Sequence, residues 1–194
     1  MRRNKTLYSM VVAAMLIALG LVLARLTGGV QVLGKSISPM HIPALIGGLT
    51  LGWFWGGTVG LLMPLLGHLL GTPPVPDIAY PMAVECMAYG VLTGLTYPWL
   101  RSQLCKRLDA NRIVVMLATM GLAMVGGRII GGAAKALMLA AGAISGDALT
   151  FGAFITAYFV DTAVGAVIHL IVVPAVVMAL EKARLSPVGW DLAA

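Results

Sequence analysis

The sequence predicts an all-α integral membrane protein, a six-transmembrane-helix bundle with its N- and C-termini cytoplasmic. Three observations carry that expectation. First, the 194 residues are 60% hydrophobic and 10% charged, with a mean hydropathy of +0.97, whereas a soluble domain carries about 25% charged residues. A soluble fold of this length still exposes roughly a third of its unfolded surface, which so few polar residues could not cover. Second, apolar runs near the roughly 20 residues that cross a hydrocarbon core follow one another with short polar breaks. They leave no room for a soluble domain, so residues 1–194 read as a single transmembrane domain with tails at about 1–6 and 182–194. Third, the basic residues cluster beside those runs, at Arg2, Arg3 and Lys5, at Arg101, Lys106, Arg107 and Arg112, and at Lys182 and Arg184. That is the positive-inside pattern. The net charge of +6 therefore reports orientation, and no nucleic-acid partner is implied.

The elements follow in order. Span one covers Leu7 to Leu26 and is read as a retained helix, because Ala24-Arg25-Leu26 lacks the small residues of a signal-peptidase site. A Gly-rich loop, Thr27 to Ser38, contains Lys35 as its one charge. Span two, Pro39 to Trp55, and span three, Gly56 to Leu70, are short and nearly continuous. One helix through both would far exceed a bilayer crossing, so a hairpin hinged at Trp53-Phe54-Trp55-Gly56-Gly57 is expected. Gly71 to Asp77 is a Pro-rich loop without Lys or Arg, hence external.

Span four covers Ile78 to Leu100, and the basic loop Arg101 to Arg112 follows on the inside. Span five, Ile113 to Ala141, is long enough to hold a break at a glycine. Ser145-Gly146-Asp147 turns the chain outside, and Leu149 to Leu180 reads either as one long helix or as a re-entrant piece and a helix, with Pro174 as a kink site. Six crossings put nine of the 13 basic residues inside, while seven would put Lys182 and Arg184 outside. Small-xxx-small pairs (Ala14/Ala18, Gly48/Gly52, Gly56/Gly60, Gly90/Gly94, Gly127/Gly131) fit close helix packing.

Ionisable groups at membrane depth need a reason. Glu85, Arg128, Lys135, Asp161, His169 and His68 are the candidates, with Tyr80, Tyr89 and Tyr158 nearby. Glu85 and Tyr89 share a helix face at i, i+4. Pairing of Glu85 with Arg128, or of Asp161 with Lys135, would neutralise charge structurally. The full set exceeds what one such pair requires and points to an outward pocket for a small polar molecule; His41 falls at an interface and says less. Cys86 and Cys105 have neither metal-ligand spacing nor a common depth for a disulfide. Enzyme readings fail on motifs. Gly142-Ala143-Ile144-Ser145-Gly146 has the wrong spacing for a rhomboid serine site, and His-Glu-x-x-His and the Gly-rich phosphate loop are both missing. No catalytic residue, metal or cofactor is implied, and active transport would draw on an ion gradient or a partner.

Ser38-Pro-Met-His-Ile-Pro-Ala-Leu-Ile-Gly-Gly-Leu-Thr-Leu-Gly52, Gly56-Gly-Thr-Val-Gly-Leu-Leu-Met-Pro, Pro81-Met-Ala-Val-Glu-Cys-Met-Ala-Tyr-Gly and Gly127-Arg-Ile-Ile-Gly-Gly stand in this order along the chain. In order and spacing, over nearly the whole chain, they resemble the substrate-binding (S) components of energy-coupling factor (ECF) transporters. The resemblance implies a vitamin-capturing subunit in a bacterial plasma membrane that works with a transmembrane coupling subunit and two cytoplasmic ATPases. It implies docking on the coupling subunit through Ala14 and Ala18, which match an Ala-x-x-x-Ala motif. It places the ligand near Glu85, Tyr89, Arg128, Lys135 and His169, with residues 72–77 as a lid. Among family substrates, an Arg128/Lys135 pair suits an anionic ligand and favours pantothenate, with cobalamin, hydroxymethylpyrimidine and riboflavin as further options. A stand-alone secondary transporter or channel using Glu85 or Asp161 as its coupling group is the alternative.

Overall fold

The computed structural model describes residues 5–28, 38–72, 74–108, 111–147 and 149–183, and these are helical with no strand. The helices are α1 (Lys5–Gly28), α2 (His41–Leu51), α3 (Trp53–Leu69), α4 (Pro76–Leu108), α5 (Arg112–Ala140), a short α6 (Phe151–Ile155) and α7 (Ala163–Lys182). A π-helical turn, Thr156–Val160, joins α6 towards α7. Among the described residues, four helices are long and apolar enough to cross a membrane: Lys5–Thr27, Asp77–Leu104, Arg112–Ala140 and Phe151–Lys182. Lipid offers no partner for backbone N–H and C=O groups, so helices that bond internally are the economical answer. Thr50, Thr93 and Thr119 obey the same rule, each donating its hydroxyl to a carbonyl four residues back.

Several boundaries differ from the sequence expectation. The hinge between spans two and three is at Gly52, not at Trp53–Gly57. Its φ of 90° and ψ of 177° are open to glycine and costly for a residue with a Cβ, so the helix ends there and Trp53 begins the next. The hairpin itself is as expected, with α2 and α3 folding back on one another. At 11 residues α2 rises only about 16 Å, roughly half a hydrocarbon core, and nearly all of it is buried. The basic loop Arg101–Arg112 is shorter than expected, because α4 runs on to Leu108. No glycine breaks α5. The last apolar run forms a single 32-residue candidate span, Phe151–Lys182, in which a π-turn and a turn at 161–162 separate α6 from α7. The N-terminal Arg2 and Arg3, the Gly-rich loop at 29–37 with Lys35, Pro73 and the tail from Arg184 lie outside the described residues, as does the side chain of Cys105.

The bundle is organised around α2. It packs against α1, α3, α4 and α7, and the broadest contacts are those of α4 with α3 and with α5. Glycines make the α2–α3–α4 approach. A Cβ on Gly56 would lie 2.5 Å from the Gly48 Cα and 2.9 Å from the Gly90 carbonyl oxygen, and one on Gly60 would lie 2.7 Å from the Met87 nitrogen. Gly94 faces the Gly52–Trp53 backbone in the same way. These are contacts between main chains, where no side chain can give way. Around them Leu45, Leu49, Val59, Met116, Met120 and Val173 are fully buried. At the end carrying the basic residues, Arg112 pairs with Glu181 and its Nε donates to the Tyr97 hydroxyl at 3.3 Å, which ties α4, α5 and α7 together.

The seam makes a position-specific prediction. Gly56→Ala should lower unfolding stability by about 1–3 kcal/mol through overpacking. Gly121→Ala, which meets nothing within 4 Å, should be neutral or gain up to about 1 kcal/mol from helix propensity. Denaturant titration of both variants in one detergent measures the difference, and equal effects would dismiss the seam.

Candidate functional site

One end of the bundle holds a cavity of about 520 Å³. Its first wall is one face of α4, where Asp77, Ile78, Pro81, Met82 and Glu85 recur at helical spacing. The end of α1 adds Ala24 and Thr27, and the entry to α2 adds Ser38 to His41. Lys135 of α5, Ala157, Tyr158 and Thr162 of the last run, and Pro74 and Val75 from the Pro-rich loop complete it. Ser38 has a φ of 46°, a left-handed conformation uncommon outside glycine. The backbone closes on it, with the His41 N–H donating to the Ser38 carbonyl at 3.0 Å. The π-turn sits where Ala157 and Tyr158 face the cavity, and such single-turn bulges gather at functional sites. On the rim, Asp77 Oδ1 accepts from the Ser145 N–H at 3.0 Å, which holds the 145–147 turn against the start of α4.

The floor is polar and buried. The Tyr89 hydroxyl donates to Glu85 Oε1 at 2.6 Å. His41 Nε2 stands 3.9 Å from the same oxygen. The His41 ring meets Tyr89 edge-on at 4.9 Å and His169 at 5.7 Å. Arg128 is 6% exposed, lies 5.4 Å over the Phe159 ring, and acts electrostatically on Glu85, Tyr89 and His41. A carboxylate, a guanidinium and an aromatic face are thus grouped at a depth where a lone charge would be costly.

Two glycines of α5 make room for this floor. A Cβ on Gly131 would fall 2.6 Å from the Glu85 Cβ, and one on Gly127 would collide with the Tyr89 ring. The Gly127/Gly131 pair therefore receives the side chains of Glu85 and Tyr89. Gly132 does the same for the Phe154 ring, which packs at 5.2 Å on Tyr158.

Of the five expected binding residues, Glu85 and Lys135 line the cavity, whereas Tyr89, Arg128 and His169 lie beneath it. The Arg128/Lys135 pair is therefore split, with the cavity presenting the ammonium and the floor keeping the guanidinium. His68 and Tyr80 pack on each other at 5.9 Å and lie outside the lining, as does Asp161. His41, which the sequence places at an interface, is one of the lining groups. Its one sequence signal was its place at the first turn of an apolar, proline-flanked run. Among the described residues no group of three or more His, Cys, Asp or Glu could hold a metal ion. Ala14 and Ala18 stand on an exposed stripe of α1 with Val11 and Met15 and are not among the cavity-lining residues.

Among the described residues the cavity brings hydrogen-bonding groups together with the Lys135 ammonium. In comparison with known proteins, the family model described as ECF transporter, substrate-specific component, matches residues 8–177. The chain belongs to this family. No curated protein and no solved structure matches it. As a substrate-specific component it is a transport subunit of the membrane, and it is not an enzyme. The family implies a small-molecule substrate and association with membrane components and ATPases. All the stretches that resemble S components lie within the matched residues.

Proposed function

We propose that this S component is the high-affinity receptor of an ECF-type importer in a bacterial plasma membrane, taking up a vitamin or related micronutrient. The cavity carries the reading. Its volume suits a single small molecule, and its lining joins apolar Met82, Ile78 and Pro81 to polar Glu85, Lys135, Tyr158 and Thr162. Lys135 supplies a cation for one anionic group of the ligand, while Glu85 and Tyr158 meet hydrogen-bonding groups. Pantothenate, with a carboxylate, hydroxyls and a methylated carbon, matches this lining best among the family's substrates. In this reading α2 and α3 complete six crossings, both termini are cytoplasmic, and the cavity opens outward. A coupling subunit and two ATPases supply the energy, and the exposed Ala14/Ala18 stripe on α1 is the surface that meets the coupling subunit.

Native mass spectrometry of the purified chain tests the function, since a retained small anionic micronutrient is expected. Vesicles holding the chain alone should bind this molecule but accumulate it only when the ATPase module is added. Accumulation by the chain alone would identify a stand-alone transporter instead. Lys135→Met should weaken the ligand by about 1.5–3 kcal/mol if its ammonium makes a charged hydrogen bond, as read by calorimetry, and unchanged affinity in the folded variant would remove Lys135 from the contact set. Ala14→Trp and Ala18→Trp should prevent co-purification with the partner subunits while ligand affinity stays at the native value; lost binding with intact assembly would reverse the assignment.

A further inference from the structure

His41 and Glu85 leave a gap of defined size. His41 is 4% exposed and its Nε2 has no hydrogen-bond partner among the described residues. An imidazole nitrogen either donates or accepts in every protonation state, and leaving one unmet in a buried site is costly. Glu85 Oε1 stands 3.9 Å from it, too far for a direct hydrogen bond. Both residues line the cavity. The imidazole is flanked edge-on by the Tyr89 and His169 rings, and the carboxylate is held by the Tyr89 hydroxyl at 2.6 Å. Two fixed groups, one cavity and one missing atom define a subsite.

We infer that His41 and Glu85 together bind a hydroxyl group of the transported ligand, with its oxygen accepting from His41 Nε2–H while its proton is donated to Glu85 Oε1. Donating and accepting at once through one atom is what a hydroxyl does. An anionic group would face the Glu85 carboxylate directly. An ammonium would stand near Arg128, whose field already acts on Glu85 and His41, and would share the cavity with Lys135. The anionic group of the ligand therefore goes to Lys135 and its neutral hydroxyl to the His41–Glu85 gap. This subsite rests on the reading of the cavity as a small-molecule site, and it narrows the cargo to a hydroxylated anion. In the empty protein the same gap suits one water, which the ligand hydroxyl would replace.

The test uses the full chain in lipid nanodiscs and calorimetry with pantothenate, a hydroxylated anion, and with riboflavin and hydroxymethylpyrimidine, which carry hydroxyls without an anionic group and should bind more weakly. The probe that binds is compared with analogues in which each hydroxyl is replaced by hydrogen in turn. One replacement should cost the native protein about 10- to 100-fold in affinity, because it leaves buried partners unmet. His41→Phe should lose a similar factor for the parent probe and bind parent and analogue within about threefold of each other. His41→Gln, which keeps a donor, should retain part of the discrimination. A native protein that discriminates less than about threefold at every hydroxyl, or a folded His41→Phe that still discriminates fully, overturns the subsite while the receptor function stands. If His41→Phe fails to fold, the native comparison alone decides. If no probe binds and no small molecule co-purifies, the receptor reading itself falls and the subsite falls with it.

Discussion

Backbone-to-backbone approach of α2, α3 and α4 is the constraint on which the rest of this molecule depends. In lipid the hydrophobic effect does not drive helices together, so close packing and satisfied polar groups must. Gly48, Gly56, Gly60, Gly90 and Gly94 supply the closeness. They allow α2, at 11 residues shorter than an ordinary membrane-spanning helix, to sit buried at the centre of the bundle. With α2 seated there, its first residue, His41, comes to stand beside Glu85 on α4. A looser interface with side chains in the seam would move α4 outward and open that gap.

The same residue type serves a second purpose on α5. Gly127 and Gly131 face the ring of Tyr89 and the chain of Glu85, so the α4–α5 contact stores a polar cluster where the α2–α3–α4 contact excludes one. Buried charge is tolerated there because Arg128 acts on Glu85 and lies over the Phe159 ring, combining ionic and cation–π attraction. Arg128 reads best as the group that keeps Glu85 able to accept hydrogen bonds at depth. Lys135, two turns along the same helix, is the cation left for the cavity.

Much of this was legible in the sequence. Hydropathy, basic clusters and run lengths gave the all-helical membrane class and most helix cores, because lipid imposes length and polarity directly on sequence. The hinge was displaced to Trp53–Gly57 because tryptophan marks interfaces, whereas the break depends on a backbone angle at Gly52 that five neighbouring glycines and aromatics disguise. The candidate charges were found, but whether each lines the cavity depends on rotation about helices whose apolar residues surround them on all sides. That is why Glu85 and Lys135 reached the cavity while Arg128 and His169 did not. His41 was missed because its role comes from contact across helices: its partners are on α4 and α7, 44 or more positions along the chain. The π-turn is likewise invisible to periodicity, since an extra residue within one turn leaves an apolar run unchanged.

The walls of the cavity are not held equally. The α4 wall belongs to the glycine seam, whereas no residue of Phe151–Val160 is buried and much of α1 is exposed. Segments with fewer buried contacts open at lower free energy than the core, so Ala24 and Thr27 on one side and Ala157, Tyr158 and Thr162 on the other are the yielding walls. Glu85, and His41 held beside it, belong to the unyielding part. A site built this way can fix the polar end of a ligand against a rigid surface and admit it past a compliant one. The division follows from where the glycines are: they bind α2, α3 and α4 into one body, and they leave α1 and the last run to pack on its outside.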